Sequence, residues 1–332
     1  MRVLITGGAG FIGSHLADRL LENGHEVVAL DDLSTGREEN LAAARSSYLG
    51  ERLTFVHGSV TQVDLVERLV AQCDVVFHLA AAVGVFTIQN ETLKSIRTNV
   101  HGTETVLEAA RPHGTRIIVA STSEVYGKND ALGLTEDADR ILGSPMLTRW
   151  SYAEAKALDE SMTQQYAAVH GLPATVVRPF NTAGARQTGR YGMVVPRFVK
   201  QALDGDPLTV YGDGEQTRCF THVNDVIDAL HGLIDAPGSV GQVYNVGNPE
   251  QTSINQLAER IIERTGSASH IDHIDYATAY GAGYEDMLRR VPDCARLRAE
   301  IGYEPKHHLD DIIDAVVAYA SSGRSMAMAQ PA

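Results

Sequence analysis

The sequence is poor in cysteine, in positive charge and in long apolar runs. Its three cysteines, Cys73, Cys219 and Cys294, are scattered and odd in number, which argues against a disulfide framework. The 28 lysines and arginines stand against 42 aspartates and glutamates, so the net charge is −14. No basic tract offsets this charge, and we therefore expect no nucleic-acid partner. No apolar run reaches the length of a membrane span and no signal peptide precedes the first predicted strand, so we expect a cytoplasmic protein with no membrane partner.

Short apolar runs alternate with stretches of helical periodicity through the first half of the chain. Helices are predicted near 62–72, 91–111 and 151–170. Strands that alternate with helices build a parallel sheet with helices on both faces, so the predicted fold is α/β with a doubly wound parallel sheet. The predicted strands are Arg2–Thr6, Glu26–Leu30, Leu53–Val56, Val75–His78, Arg116–Ala120 and Ala174–Arg178.

A glycine-rich turn follows the first predicted strand. Gly7, Gly10 and Gly13 are spaced G-x-x-G-x-x-G and lead into a helical pattern, where glycine lets the backbone approach a pyrophosphate at the helix N-terminus. Asp31, at the end of the second strand, suits the ribose hydroxyls of an adenosine and repels a 2′-phosphate. The pattern therefore predicts NAD rather than NADP, although the nearby Arg37 leaves NADP open.

The domain prediction follows from these patterns. Residues 1–180 are predicted to form an NAD-binding domain of the Rossmann type, to which residues 220–248 return. Residues 181–320 are predicted to form a smaller α/β substrate-binding lobe, and 321–332 a flexible tail. Within these ranges we predict a strand at Gln242–Val246 and helices near 195–203, 223–236, 253–265 and 309–320.

One stretch carries the candidate chemistry. Tyr152 and Lys156 are four residues apart in a predicted helix, so they lie on one face, one turn apart. An ammonium group beside a tyrosine favours the phenolate, which predicts a lowered pKa for Tyr152 and a role as general base. Thr122, just after a strand, offers a hydroxyl to hold a substrate alcohol. The thirteen histidines show no spacing of metal ligands, so we predict no metal.

These motifs, in this order, give the chain a resemblance to the extended short-chain dehydrogenase/reductases, and among them to the nucleotide-sugar epimerases, dehydratases and decarboxylases. The resemblance extends from Met1 to about Tyr319. It rests on the glycine turn, the Tyr-x-x-x-Lys pair and four further runs: His78-Leu79-Ala80-Ala81, Thr122-Ser123-Glu124-Val125-Tyr126-Gly127, Arg178-Pro179-Phe180-Asn181 and Tyr211-Gly212-Asp213-Gly214-Glu215-Gln216-Thr217-Arg218.

The resemblance implies a role for each matching residue. The implied catalytic residues are Tyr152, Lys156, Thr122, Glu124 and Arg290. Those implied to bind the cofactor NAD are Gly7, Gly10, Phe11, Ile12, Gly13, Asp31, Ser34, Gly36, Ser59, Val60, Leu79, Ala80, Ala81, Asn99, Tyr152 and Lys156. Those implied to bind a nucleotide-linked sugar are Ser123, Asn181, Val195, Tyr211, Arg218 and Arg290. Ser59 is a departure, since relatives usually carry an aspartate in this segment.

The resemblance also implies the reaction class. The shared first step oxidises the sugar C4 hydroxyl to a ketone. Dehydratases carry an Asp-Glu pair after the threonine, whereas Ser123-Glu124 here is similar to UDP-glucuronate decarboxylases. The same holds for Arg149-Trp150-x-Tyr152 and for the run from Tyr280 to Pro292. UDP-glucuronate decarboxylation is therefore the leading hypothesis, and a 4-epimerase acting on a UDP-hexose, a UDP-uronate or another NDP-sugar is the alternative.

Two residues keep alternative roles. Arg290 either binds the substrate carboxylate and helps protonate C5, or binds only the diphosphate. Glu124 either orders a water near C5 or holds a loop. In this family the helices near 91–111 and 151–170 pair across a two-fold axis, which implies a homodimer.

Overall fold

The computed structural model describes residues 1–47, 49–84, 88, 90–189, 193–280 and 287–322. Its strands are β1 Arg2–Thr6, β2 Glu26–Asp31, β3 Leu53–His57, β4 Val75–His78, β5 Arg116–Ala120, β6 Ala174–Pro179, β7 Thr182–Ala183, β8 Leu208–Tyr211, β9 Thr217–Cys219, β10 Thr221–His222, β11 Val243–Val246, β12 Gln251–Ser253 and β13 Ile271–Ile274. Its helices are α1 Phe11–Glu22, α2 Ala42–Ser46, α3 Val63–Val70, α4 Thr92–Ala110, α5 Ser151–His170, α6 Val194–Asp204, α7 Val223–Gly232, α8 Ile254–Thr265, α9 Tyr276–Tyr280, α10 Ala295–Ile301 and α11 Leu309–Ser321.

The central sheet has seven strands in the order β11-β6-β5-β4-β1-β2-β3, and every neighbouring pair is parallel. The doubly wound parallel sheet predicted from the alternating pattern is thereby confirmed. The chain moves outward from β1 in one direction through β2 and β3, and in the other through β4, β5 and β6. In such sheets the ligand crevice lies at the carboxyl ends of the strands where the order reverses, which here means β1 and β4.

Alternation along β1 builds both halves of the core. Val3 and Ile5 face the layer that contains α1 and α7, whereas Leu4 faces the layer of α3, α4 and α5. All three side chains are fully buried. Truncating Leu4 or Ile5 to alanine should cost about 2–5 kcal/mol, because a close-packed core relaxes only partly around a cavity.

The smaller lobe has its own apolar cluster. Helices α6, α8 and α11 pack around the parallel pair β8–β13, with Phe198, Leu257 and Ile312 fully buried among them. The N-terminus of α8 is fixed by a capping box, in which Ser253 and Gln256 each bond the other's backbone N–H. Such a box satisfies two donors that a helix otherwise leaves unpaired.

Two predicted boundaries were wrong. The helix predicted over 223–236 ends at Gly232, and Ala236 and Pro237 already belong to the following turn. Ser321, predicted as tail, is the last residue of α11, and residues 323–332 of the predicted tail lie outside the described part of the chain. Among the residues that the structure describes, no helix combines the length and the apolarity needed to cross a bilayer.

Candidate active site

A cavity of about 340 Å³ opens where β1 and β4 end. It therefore lies at the position that the strand order predicts for a ligand crevice. Its wall includes twelve of the residues predicted to bind a cofactor: Gly7, Gly10, Phe11, Ile12, Gly13, Asp31, Ser34, Ser59, Val60, Leu79, Ala80 and Ala81.

The glycine turn brings the backbone of β1 and α1 into close contact. A Cβ on Gly13 would lie 2.1 Å from the carbonyl oxygen of Gly7, and one on Gly7 would lie 2.9 Å from the amide nitrogen of Ala80. Gly7 also has φ of 72°, which strains any residue with a side chain. Gly10 is the N-cap of α1 and offers no side chain to the helix N-terminus. The first turn of α1 thus presents backbone N–H groups to an anion in the cavity.

Asp31 is held at the rim of this turn. The backbone N–H groups of Ala9 and Leu33 donate to its carboxylate at 3.0 and 2.8 Å. Burial raises the pKa of Asp31, while these hydrogen bonds oppose the rise. Gly36 leaves room for the carboxylate, since a Cβ there would lie 2.7 Å from Asp31 Oδ1. Arg37 lines the same cavity, so the structure keeps both the acid that suits NAD and the arginine that left NADP open.

Asn99 lies behind the cavity wall. Its side chain is fully buried, its oxygen accepts from Ala82 N at 2.8 Å, and its nitrogen donates to Ala82 O at 3.2 Å. The structure therefore shows Asn99 supporting the backbone of Ala82, which lines the cavity, and a direct contact between Asn99 and a cofactor stays a prediction.

A second buried support of the cavity wall is His78, to which the sequence pattern assigned no role. His78 bonds Thr6 Oγ1 at 2.9 Å through Nδ1 and Thr103 Oγ1 at 3.0 Å through Nε2, and Thr6 Oγ1 accepts from Ala80 N at 3.2 Å. Burial and the charge of Lys156 lower the pKa of His78 to about 3, so the imidazole is neutral. The run from His78 to Ala81 marked this place in the sequence, but the pattern alone gave no role to the histidine.

The predicted catalytic pair lies on α5, as the spacing indicated. Tyr152 and Lys156 are both buried, and a hydrogen bond joins the hydroxyls of Tyr152 and Thr122. Thr122 is the N-cap of the 3₁₀ turn Ser123–Tyr126, where its Oγ1 accepts from Glu124 N at 3.2 Å. The turn and the helix therefore bring together the tyrosine predicted to be the base and the hydroxyl predicted to hold a substrate alcohol.

The expected lowering of the Tyr152 pKa was wrong for this arrangement. Burial raises that pKa, and the carboxylates of Glu124 and Asp159 raise it further, while the hydrogen bond from Thr122 opposes them. The ammonium of Lys156 donates instead to Asp159 Oδ2 at 2.7 Å. The Tyr-x-x-x-Lys motif includes the cation four residues after the tyrosine but not the anion three residues further along the helix.

Glu124 lies between two arginines. Arg149 donates to its carboxylate at 2.6 Å, and Arg290 donates to its other oxygen at 2.8 Å. Burial alone would raise the pKa of Glu124, but the charges and hydrogen bonds of the two arginines hold it well below its usual range. Glu124 is therefore an anion at neutral pH and has no proton to donate. Arg149 appeared in the sequence only as part of a motif, and nothing there indicated this contact.

The predicted substrate residues fall into two groups. Asn181, with φ of 31°, accepts from Arg290 at 3.2 Å and donates to Cys219 O at 2.9 Å, and the Arg218 charge acts on Arg290. Tyr211 lies in the smaller lobe, its ring centroid 4.2 Å from the guanidinium of Arg197. Buried Ser123 and Val195 complete the predicted set. Residues 281–286, which carry most of the late motif quoted above, lie outside the described residues.

No group of three or more histidine, cysteine, aspartate or glutamate side chains in the described ranges could hold a metal ion. The anionic and cationic side chains of the site are instead committed to one another, Lys156 to Asp159 and Glu124 to two arginines. This arrangement brings together the groups predicted to transfer a proton and to bind an anion, and the cavity at β1 and β4 lies where a dinucleotide is predicted to bind.

Comparison with known proteins agrees with this geometry. A model of the NAD dependent epimerase/dehydratase family matches residues 3–247. The chain is 41% identical over 305 residues to the UDP-N-acetyl-alpha-D-glucosaminuronate decarboxylase of Bacillus cytotoxicus, with 92% of each chain covered. It is 36% identical over 320 residues to UDP-glucuronic acid decarboxylase 1 of Danio rerio, which covers 96% of this chain and 72% of that relative. The crystal structure of UDP-glucuronic acid 4-epimerase from Bacillus cereus, in complex with UDP-glucuronic acid and NAD, superposes with a TM-score of 0.86 at 29% identity, covering 97% of this chain and 99% of that one.

Proposed function

Because the chain belongs to the NAD-dependent epimerase/dehydratase family, we propose that it decarboxylates a UDP-linked hexuronate through a 4-keto intermediate, with UDP-glucuronate as the leading substrate. The observation that carries the proposal is the cluster of Arg149, Glu124 and Arg290 beside the Tyr152–Thr122 pair. Two guanidinium cations against one carboxylate leave one positive charge, which suits a substrate carboxylate. The two decarboxylases described above support the same reaction.

The cofactor site fits NAD. The glycine turn gives a pyrophosphate close access to the N-terminus of α1, and the Asp31 carboxylate can accept hydrogen bonds from ribose hydroxyls. Ser34, Ser59, Val60 and Leu79 line the remaining wall. When bound, NAD⁺ supplies the hydride acceptor for the sugar C4 carbon. We propose that Lys156 also holds the nicotinamide ribose, as in the family resemblance.

Tyr152 acts as the base for the C4 hydroxyl. Thr122 hydrogen-bonds the tyrosine hydroxyl, so a substrate alcohol bound there can hydrogen-bond to the hydroxyl oxygens of both Thr122 and Tyr152. Because burial raises the pKa of Tyr152, the free enzyme holds the tyrosine protonated at neutral pH. A phenol of raised pKa is a strong base once ionised, and a positive charge brought close to it favours that ionisation.

Arg290 receives the carboxylate in this scheme. A ketone at C4 turns the C6 carboxylate into a β-keto acid, so the C5–C6 bonding electrons move into an enolate as CO₂ leaves. Arg290 holds the carboxylate while Arg149 keeps Glu124 paired on its other side. A proton then returns to C5. The second role considered for Glu124, holding the loop, agrees with its two arginine contacts.

The test is product analysis with purified enzyme and NAD⁺. We expect CO₂ release and loss of its mass from UDP-glucuronate, from UDP-N-acetylglucosaminuronate, or from both, and no CO₂ from UDP-glucose, which has no carboxylate. The Tyr152→Phe variant keeps the ring and should lose at least about 100-fold in turnover, because a general base contributes about 10²–10⁴-fold. Full turnover in that variant would remove Tyr152 as the base, and no CO₂ from any UDP-uronate would remove decarboxylation.

A C4-epimerase is the second candidate. It is favoured by the similarity to UDP-glucuronic acid 4-epimerase from Bacillus cereus, whose structure holds a uronate and NAD. The same cluster around Arg290 would then bind the substrate carboxylate, which stays on the sugar and is not lost as CO₂. A product of unchanged mass with inverted C4, seen by NMR, would favour this candidate over the first.

We also propose that the protein is a cytoplasmic homodimer. Each protomer then has an NAD-binding lobe of residues 1–180, to which residues 220–248 return, and a substrate-binding lobe of residues 181–320. Apolar side chains exposed on α4 and α5, Leu93, Leu158 and Val169, suit a helix-to-helix contact between copies. All three cysteines are free, as a reducing compartment requires. Light scattering after gel filtration tests the dimer. A monomeric mass at micromolar concentration, unchanged in the Leu158→Lys variant, would refute it.

A further inference from the structure

Lys156 and Asp159 form an ion pair that is closed to solvent. The lysine Nζ lies 2.7 Å from Asp159 Oδ2, and the side chains are 1% and 0% exposed. Surface pairs of this spacing, such as Lys94 with Glu91, are more than half exposed and contribute little. A buried pair is different, because each ion has lost its hydration and depends on its partner.

The pair is also incomplete. Asp159 Oδ1 is buried and has no hydrogen-bond partner among the described residues. A carboxylate can accept several hydrogen bonds and an ammonium can donate three. Asp159 therefore holds the lysine through one carboxylate oxygen, by one of the three hydrogen bonds that an ammonium can donate. Side chains on a helix point toward its N-terminus, so Lys156 leans toward Tyr152 while Asp159 anchors it from the following turn.

We propose that Asp159 is a positioning residue of the active site: it fixes the Lys156 ammonium and offsets its charge, so that Tyr152, Lys156 and Asp159 together set the base strength of the tyrosine. The proposal rests on the proposed function only for the identity of the base. The proposal concerns the ionisation of Tyr152 in the protein with NAD bound, and it does not depend on which sugar is the substrate.

The charges around Tyr152 show how this works. The tyrosine faces the carboxylates of Glu124 and Asp159 and the hydroxyl of Thr122, and Lys156 faces Asp159 and the neutral imidazole of His78. Glu124 is already neutralised by two arginines. Asp159 is therefore the anion near Tyr152 that one substitution can remove without leaving an arginine of the Glu124 cluster unpaired. Its loss exposes Tyr152 to the full charge of Lys156 and stabilises the phenolate.

The experiment measures the ionisation of Tyr152 in the NAD⁺ complex without any substrate. Protein with ¹³Cζ-labelled tyrosine is titrated by NMR, and the Tyr152 signal among the twelve tyrosines is identified by its absence in Tyr152→Phe. We expect Asp159→Asn to titrate about one pH unit below the wild type, the shift that one nearby charge typically produces. The acid limb of the turnover profile should move in the same direction, and Asp159→Glu should restore the wild-type titration.

A matched control removes the same charge elsewhere. Asp204 pairs with Lys200 on the exposed surface of α6, and Asp204→Asn should leave the Tyr152 titration unchanged. Asp159→Ser serves as a second neutral variant if Asp159→Asn fails to fold. A Tyr152 titration that is unchanged in a folded neutral variant overturns the proposal, and so does failure of both neutral variants to fold, which would make Asp159 a structural residue only. Because no substrate is present, absence of decarboxylase activity would leave the NMR result intact.

Discussion

The contacts of Glu124 make a stability prediction that is independent of the substrate. Replacing Glu124 with glutamine keeps the shape of the side chain but removes the negative charge between Arg149 and Arg290. The new amide oxygen can accept from one guanidinium, while its NH₂ group faces the other. One charge-assisted hydrogen bond is therefore lost outright and the second is weakened.

The magnitude follows from the geometry and the burial. A hydrogen bond to a charged group contributes about 1.5–3 kcal/mol, and leaving a buried guanidinium unpaired costs more. The Glu124 side chain is 21% exposed, so water recovers part of the loss. We expect Glu124→Gln to lower the free energy of unfolding by about 2 kcal/mol, which for a chain of this size lowers Tm by roughly 3 °C.

The pH dependence gives the sign of the effect. Glu124 has a depressed pKa in the folded protein, so its stabilisation is fully present above the unfolded value of 4.5 and is lost as the pH falls through the folded value. The difference between wild type and Glu124→Gln should thus be constant between about pH 6 and pH 8 and decrease only in stronger acid. Turnover should fall with it, because Arg290 loses the anion that orients it.

The assay is urea unfolding followed by circular dichroism, with an exposed pair as the control. Glu304 accepts from Arg298 at 2.7 Å, but the two side chains are 65% and 54% exposed, so Glu304→Gln should cost below about 0.5 kcal/mol. Equal stability of Glu124→Gln and wild type at neutral pH would refute the reasoning, since it would mean that two buried arginines do not need the carboxylate between them.

Two further predictions concern the cofactor turn and the buried histidines. Gly13→Ala places a Cβ 2.1 Å from a backbone oxygen and should weaken NAD⁺ binding at least about 10-fold by calorimetry, since overpacking costs about 1–3 kcal/mol. The control is Gly238→Ala, in which the new Cβ meets only a flexible carboxylate and NAD⁺ affinity should not change. Equal NAD⁺ affinities of the two variants would refute the steric argument. Burial lowers the pKa of His78 to about 3 and of His15 to about 4, below the unfolded 6.5, so stability should be lost as the pH falls below 6.5, by about 2 kcal/mol per histidine at pH 5. The free energy of unfolding of His78→Gln, measured in urea at pH 6.5 and pH 5, should change less with pH than that of the wild type. An identical change would contradict a neutral, buried His78.

The sheet and its helices could be predicted because their signals are local. A glycine turn between β1 and α1, and apolar runs of strand length, specify elements whose packing needs no distant partner. The end of α7 at Gly232 was missed, since nothing in the apolar periodicity stops there and the following Pro237 suggested a longer helix. Boundaries depend on tertiary contacts more than on propensity.

The site could be predicted only in its composition. Spacing placed Tyr152 and Lys156 on one helix face, but the pKa of the tyrosine depends on burial and on Asp159, which the pair motif does not include. Likewise Arg149 and Arg290 meet at Glu124 from positions 141 residues apart in the chain. No periodic pattern encodes a contact of that sequence separation.

The edge strand β11 affects how the protein can be synthesised. It pairs with β6 only after the chain has passed through residues 180–242, and its Asn245 accepts a hydrogen bond from Tyr126, the last residue of the turn that begins at Ser123. Contacts of such long range form late, because loop closure must precede them. On the ribosome, residues 243–246 must therefore emerge before the turn that follows Thr122 acquires its final support, so a chain stalled short of them has every predicted catalytic side chain except Arg290 but not the fixed geometry that catalysis requires.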